Sequence, residues 1–220
     1  MHFDRDYKED VTLADGTVAR LRLLRPDDKP LLVEGFAHLS PESRYRRFFT
    51  MKNELSPAEL RYLTEVDGDR HFAIGAMRRD EGEKRHGVGV GRFVRTADGV
   101  AEPAVVVIDE MQGKGLGRIL FERLVLAARE RGVHRFRTEV LATNTPMRAL
   151  LDSFAPSSHV ELDDEGVLHV ETPLDDLPIA DAPSDERRKH PLYALLALAA
   201  QGLVVLRRAI GEALHLGDHS

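Results

Sequence analysis

The chain has 220 residues, 42% hydrophobic and 31% charged, enough for one well-buried globular domain with appendages or two very small ones. Its formal net charge of -6 gives no global positive field for nucleic acid, and with no cysteine it has no disulfides, thiolate nucleophiles or thiolate metal sites. The charged stretch MHFDRDYKEDVTLADG is not a secretory signal, so a cytoplasmic setting is expected.

In chain order, VTLADGTVARLRLLR reads as two β segments around Asp15-Gly16, a pairing with hairpin turn chemistry. In PDDKPLLVEGFAHLS, Asp27 or Asp28 stands near a helix start, with Leu31, Leu32, Phe36 and Leu39 as its apolar positions. SPESRYRRFF and LSPAELRYLTEV each open on Ser-Pro with a glutamate soon after, which predicts two more capped helix starts. HFAIGAMRRD, GVGVGRFVRT and AEPAVVVID predict three strands whose short connections favour an antiparallel meander. RILFERLVLAARERG predicts a helix stopped by Gly132. A strand at VHRFRTEVLA, a short helix at TPMRALLDSF and a closing hairpin turning at Asp164 to Gly166 follow. The fold class is therefore α/β, a mixed central sheet flanked by helices over residues 1–174. Residues 175–190, rich in Pro, Asp and Ser, read as a linker, and residues 191–220 as an extra C-terminal helix.

The stretch AVVVIDEMQGKGLGRILFERL places three glycines in five positions between a strand and a helix, a common build for holding phosphate. A Walker loop fails because Lys114 is followed by Gly115 rather than Ser or Thr. A dinucleotide fingerprint fails because Arg118 occupies the third glycine position and a meander precedes the strand. The catalytic-loop and metal-binding signatures of a protein kinase are absent. QGKGLG instead resembles the Q/R-x-x-G-x-G/A pattern of the GCN5-related N-acetyltransferases (GNAT). Physically, Gly113, Gly115 and Gly117 lack Cβ atoms, so backbone N–H groups can close on a pyrophosphate. The following helix aims its positive end at the same anion, and Lys114 and Arg118 add charge.

LSPESRYRRFF, LSPAELRYLTEVDGDRHFAI, AEPAVVVIDEMQGKGLG and LATNTPMRALL are similar, in the same order, to the acetyltransferase domain of bacterial Pat-type protein-lysine acetyltransferases, over residues 11 to 173. The resemblance implies the GNAT fold, acetyl-coenzyme A as co-substrate and no metal. It implies coenzyme contacts from Gln112, Gly113, Lys114, Gly115, Leu116, Gly117 and Arg118, and a backbone rail for the pantetheine arm from Val105, Val106 and Val107. Asn144 matches an asparagine used near the coenzyme arm; helix capping is its other reading, and both can hold. Many relatives carry a tyrosine acid seven residues later, where this chain has Leu151, so no general acid is assigned.

Acyl transfer to an amine needs a proton acceptor, and Glu102, matching the glutamate of the Pat-like pattern, is the candidate general base. Partial burial beside an apolar strand would raise its pKa; the alternative is an exposed glutamate at a strand end. Pro103 departs from the usual apolar residue, so either Glu102 sits at a bulge or edge, or the strand begins later. His71 is a candidate for the acceptor side. Arg44, Arg46 and Arg47 form a basic cluster, read first as a solvated helix face and second as a contact for phosphate or an acidic acceptor. Ten scattered histidines without H-E-x-x-H spacing argue against a metal.

The acceptor is expected to be a protein lysine, with a small amine as the alternative, and a non-catalytic acyl-coenzyme A-binding module as a reading of another class. No nucleic-acid partner is expected. The segment Leu192 to Leu206 is short of the ~20 residues that span a bilayer, so docking or homodimerisation is preferred to membrane contact.

Overall fold

The computed structural model describes residues 2–41, 43–44, 53–79, 84–141, 159–163 and 167–175. An eight-stranded sheet runs through them in the order β1-β2-β3-β4-β5-β6-β8-β7. β1 (Lys8–Thr12) and β2 (Val18–Leu23) form the expected hairpin, with Gly16 at φ +84° in its turn. β3 (His71–Arg79), β4 (Arg85–Ala97) and β5 (Val100–Val107) are the antiparallel meander that their short connections favour. β6 (Arg135–Leu141) then joins β5 in parallel, which makes the sheet mixed, and β8 (Val167–Pro173) pairs with β6 on one side and β7 (His159–Leu162) on the other. The turn at Asp164 to Gly166, the short helix over 145–154 and the extra helix over 191–220 lie outside the described residues, as does the linker beyond Asp175.

Among the described residues three helices flank the sheet: α1 (Lys29–Ala37), α2 (Pro57–Thr64) and α3 (Leu116–Glu130). α2 starts as its Ser-Pro-x-Glu pattern predicts, with Glu59 N–H donating to Ser56 Oγ and Ser56 N–H to Glu59. α1 starts differently. Asp28 stands at its N-cap position, as expected, but its side chain makes no capping bond to α1, because the carboxylate is buried and takes two bonds from the Arg22 guanidinium and one from Arg25 N–H at 2.8 Å. A buried carboxylate is held by charge-assisted donors, and the guanidinium on β2 meets that need better than a helix end. α3 ends at Gly132, whose φ of +70° permits a Schellman closure: Gly132 N–H bonds Arg129 O, and Val133 N–H bonds Ala128 O.

α3 and α1 cover opposite faces. A Cβ on Gly91 would lie 3.2 Å from Leu124 of α3, whereas one on Gly87 would lie 2.9 Å from the Leu31 carbonyl of α1. A bulge separates the two, the β3–β4 register passing from Ala76↔Gly89 to Met77↔Gly87. The α3 face carries the aromatic core, with Phe72 stacked on Phe93 and Phe136 between Phe93 and Phe121.

Candidate active site

β5 is paired along its length with β4, but its register with β6 contains only Val100↔Arg135 and Ala101↔Phe136. Past Ala101 the two strands diverge and a wedge opens between them. Ile108 N–H donates to Val88 O at 3.2 Å, which sets the phase of the β4 ladder. By antiparallel alternation, Glu102, Ala104 and Val106 turn their backbone groups toward β4, while Pro103, Val105 and Val107 turn theirs into the wedge. Pro103 therefore removes no β4 bond. It stands inside a strand that begins at Val100, not at a late start, and the β4–β5 register is regular there. The predicted valine rail is divided by the same alternation: Val105 and Val107 face the wedge with their backbone, whereas Val106 offers a side chain to the α1 face. The Val107 carbonyl already accepts from Gln112 Nε2 at 3.1 Å.

Beyond β5 a single helical turn, Asp109–Met111, leads into Gln112–Gly115 and then α3. Gly113 and Gly115 hold φ of +74° and +91°, with nothing within 4 Å of a Cβ at either, so backbone handedness and not space requires glycine. Gly117 is not a loop residue, because α3 begins at Leu116 and Gly117 is buried in its first turn. Gly115 is the N-cap and makes no side-chain cap; the first internal helical bond is Ile119 N–H to Gly115 O. The N–H groups of Leu116, Gly117 and Arg118 thus precede the helical ladder at its positive end.

The two expected cations are engaged by carboxylates. Lys114 Nζ lies 2.9 Å from Asp15 Oδ2, and Ala14 N–H donates to the Lys114 carbonyl, so the β1–β2 turn is fastened to the loop. The Lys114 hydrogen bond, helped by Thr17, holds the Asp15 carboxyl down at about 2. Arg118 Nε donates to Glu122 at 3.0 Å. Asp109 accepts from Gln112 Nε2, Ser40 N–H and the Ser43 hydroxyl, joining the α1 exit to the loop. Sequence reasoning treated Asp15 only as a turn residue and passed over Asp109. Asp109 lies inside the stretch AEPAVVVIDEMQGKGLG but had no role assigned there, and only the fold brings Asp15, Ser40 and Ser43 to the loop.

Glu102 is 6% exposed, so the exposed strand-end alternative does not hold. Register pairs His71↔Val94 and Val94↔Glu102 put His71 and Glu102 on one face, on either side of Val94. Arg92, two residues along, approaches His71 Nε2 at 3.0 Å and donates to the Leu63 carbonyl at the end of α2 at 3.2 Å. A guanidinium can only donate, so Nε2 accepts and the ring is neutral with its proton on Nδ1. Burial, then the Arg92 charge, pushes His71 down to about 4. His71 is thus a buried support for Arg92, with the Tyr62 ring 4.8 Å away, not part of an open acceptor surface. Arg44 lies over the Phe36 ring at 4.7 Å and donates to Ala37 O, which packs it on α1. Arg46, Arg47 and Asn144 lie outside the described residues. Among the described residues no His, Asp and Glu group could hold a metal, and no helix is long and apolar enough to cross a membrane.

The family model for the acetyltransferase (GNAT) family matches residues 32–154. Acetyltransferase PA5475 of Pseudomonas aeruginosa is 34% identical over 140 residues, covering 63% of this chain and 75% of that protein. Acetyltransferase Pat of Mycolicibacterium smegmatis is 35% identical over 144 residues, 64% of this chain but 42% of Pat, so the match spans less than half of that relative. The crystal structure of the GNAT domain of S. lividans PAT is similar at a TM-score of 0.65 and 29% identity, covering 78% of this chain and 99% of that domain.

Proposed function

This chain belongs to the acetyltransferase (GNAT) family, and from that premise we propose that it moves the acetyl group of acetyl-coenzyme A onto a lysine side chain of an acceptor protein, with Glu102 taking the proton. One observation carries the reading. β5 joins a buried carboxylate near its start, a backbone edge that diverges from β6 along its middle, and a glycine loop at its end.

Acetyl-coenzyme A supplies an acyl carbon activated as a thioester. The loop Gln112–Gly115 and the N–H groups of Leu116, Gly117 and Arg118 suit its pyrophosphate. Lys114 and Arg118 add charge once phosphate replaces their carboxylate partners. Val105 and Val107 suit the pantetheine amides as an added strand would, and Val105 N–H is the donor we assign to the thioester carbonyl. Asn144 is assigned near the same arm on its sequence match alone.

A lysine ammonium is protonated near neutral pH and cannot attack. Glu102 takes that proton, directly or through one water, and the freed nitrogen lone pair forms the C–N bond as the C–S bond breaks, the second proton of the acylated nitrogen passing to water. Coenzyme A leaves as a thiolate, stable enough to depart without a tyrosine acid. The protein acceptor rests on the likeness to the Pat proteins, the cytoplasmic setting on the cysteine-free composition, and docking or dimerisation through residues 191–220 on their apolar pattern.

The deciding experiment incubates the protein with labelled acetyl-coenzyme A and a cell lysate, beside Glu102→Gln. Label on discrete protein bands, reduced about 100- to 10,000-fold in the variant, supports the reading. Label confined to small molecules overturns the lysine acceptor in favour of a small amine. Coenzyme binding without turnover in either protein makes the chain an acyl-coenzyme A-binding module.

A further inference from the structure

We infer that this site takes acyl groups longer than acetyl, with the chain lodged in an apolar cavity between α1, α2 and the sheet; the inference rests on the acyl-transfer reading above. The cavity gives about 80 Å³ in which the centre of a water-sized sphere can sit. Its walls include Leu32 and Phe36 of α1, Leu63 of α2, Met77 of β3, Val90 of β4 and Val106 of β5. Among the described residues that line it, the ionic side chains are Asp28 and Arg92. Both are engaged, Asp28 by Arg22 and the Arg25 N–H, Arg92 by His71 and the Leu63 carbonyl.

The chemistry of the walls selects the ligand. Among the described lining residues an ammonium or phosphate would lose its water without gaining a charged partner, because the charges of Asp28 and Arg92 are already committed. An alkyl chain loses nothing of that kind and gains contact with every wall. The position selects the source of the chain. Val106 lines the cavity and stands between Val105 and Val107, whose backbone faces the wedge assigned to the thioester arm. The cavity thus begins one side chain away from the reacting carbonyl, and an acetyl group, ending in a single methyl, would fill only part of it. Interiors normally pack with few voids larger than a water molecule, and this one has room for several waters at ~10–15 Å³ each, so its place beside the reacting strand calls for an occupant. The bonds made and broken are those of acetyl transfer; only the carbon chain on the carbonyl is longer.

The test is calorimetric titration of the whole protein, without acceptor, by coenzyme A thioesters of two, four and six carbons. Affinity is expected to rise about tenfold from acetyl to butyryl and further to hexanoyl, each buried methylene being good for up to about fourfold. Val90→Phe, which fills the cavity from β4, is expected to erase that rise while leaving acetyl-coenzyme A affinity unchanged. Affinity that is flat or falls with chain length, while acetyl-coenzyme A still binds, overturns the inference and leaves acetyl transfer standing. Failure of all three thioesters and of free coenzyme A to bind overturns both. Should Val90→Phe not fold, the wild-type series decides by itself.

Discussion

Under α3, Leu116, Leu120 and Leu124 are at most 1% exposed and pack on a sheet face that carries Phe93 and Phe136; under α1 and α2, the opposite face buries His71, Arg92 and Glu102 beside an apolar cavity. The polar groups on the α3 side serve as clamps. Arg123 donates two bonds to Glu9 of β1, at 2.8 and 2.6 Å, and the Tyr7 hydroxyl donates to the same carboxylate. Burial, with the Glu9 bond second, pushes the Tyr7 phenol well above its ordinary range, so the hydroxyl keeps its proton and the network does not titrate there at physiological pH. The buried groups of the other face sit beside open space and a diverging strand edge. Burying polar groups and leaving a cavity both cost stability, and a fold concentrates such costs where it binds and reacts. The comparison teaches that one helix layer supplies the cohesion that lets the other be loosely filled.

The contrast can be broken most forcefully at Leu120. Leu120→Ala is expected to lower the unfolding free energy by about 2–5 kcal/mol in denaturant titration. Leu32→Ala, at a half-buried position beside the existing cavity, is expected to cost about 1 kcal/mol. Equal losses would remove the distinction between the faces. Next in size is the acid limb of stability. His71 titrates at about 4 when folded, against 6.5 for the free side chain. Between those values the unfolded chain binds a proton that the folded one refuses. Stability is therefore full above pH 6.5 and is lost as pH falls toward 4, by roughly 3 kcal/mol at most. His71→Gln keeps an acceptor for Arg92 and should flatten this limb; an unaltered slope would show that the titration belongs elsewhere.

Gly115→Val sharpens the comparison at the site end of β5. A β-branched residue resists φ of +91°, by ~1–2 kcal/mol or more, so coenzyme affinity is expected to fall about tenfold and the melting temperature by several degrees. Unchanged affinity would sink the loop assignment. The smallest effect is expected at Asp15. Asp15→Asn frees Lys114 for phosphate, and coenzyme affinity should rise about two- to threefold at low salt, the difference fading as salt screens the exposed charges. Weaker binding would mean that Asp15 shapes the loop rather than competing for its lysine.

Features that depend on a few neighbouring residues were legible in the letters. The Ser56 capping box, the stop at Gly132 and the left-handed glycines at 113 and 115 each answer a local backbone demand that neighbouring residue types reveal. The order of strands, with three in a meander before a mixed junction, followed from connection lengths. Local pattern also misplaced some details. Gly117 looked like loop because glycine runs favour loops, yet the buried first turn of α3 takes it, and Asp28, though at the N-cap of α1, gives its side chain to Arg22 of β2 rather than to the helix end.

By itself, then, the sequence determined the elements, the family pattern and the loop suited to phosphate, because helices, turns and caps are set by interactions a few residues long. Only the tertiary structure decided that β5 leaves β6 after Ala101, that Pro103 faces the wedge, and that Asp15 meets Lys114. It also decided that His71 and Glu102 share a face across Val94, beside Arg92. Each depends on register between segments far apart in the chain, where a shift of one residue would turn every side chain to the other face.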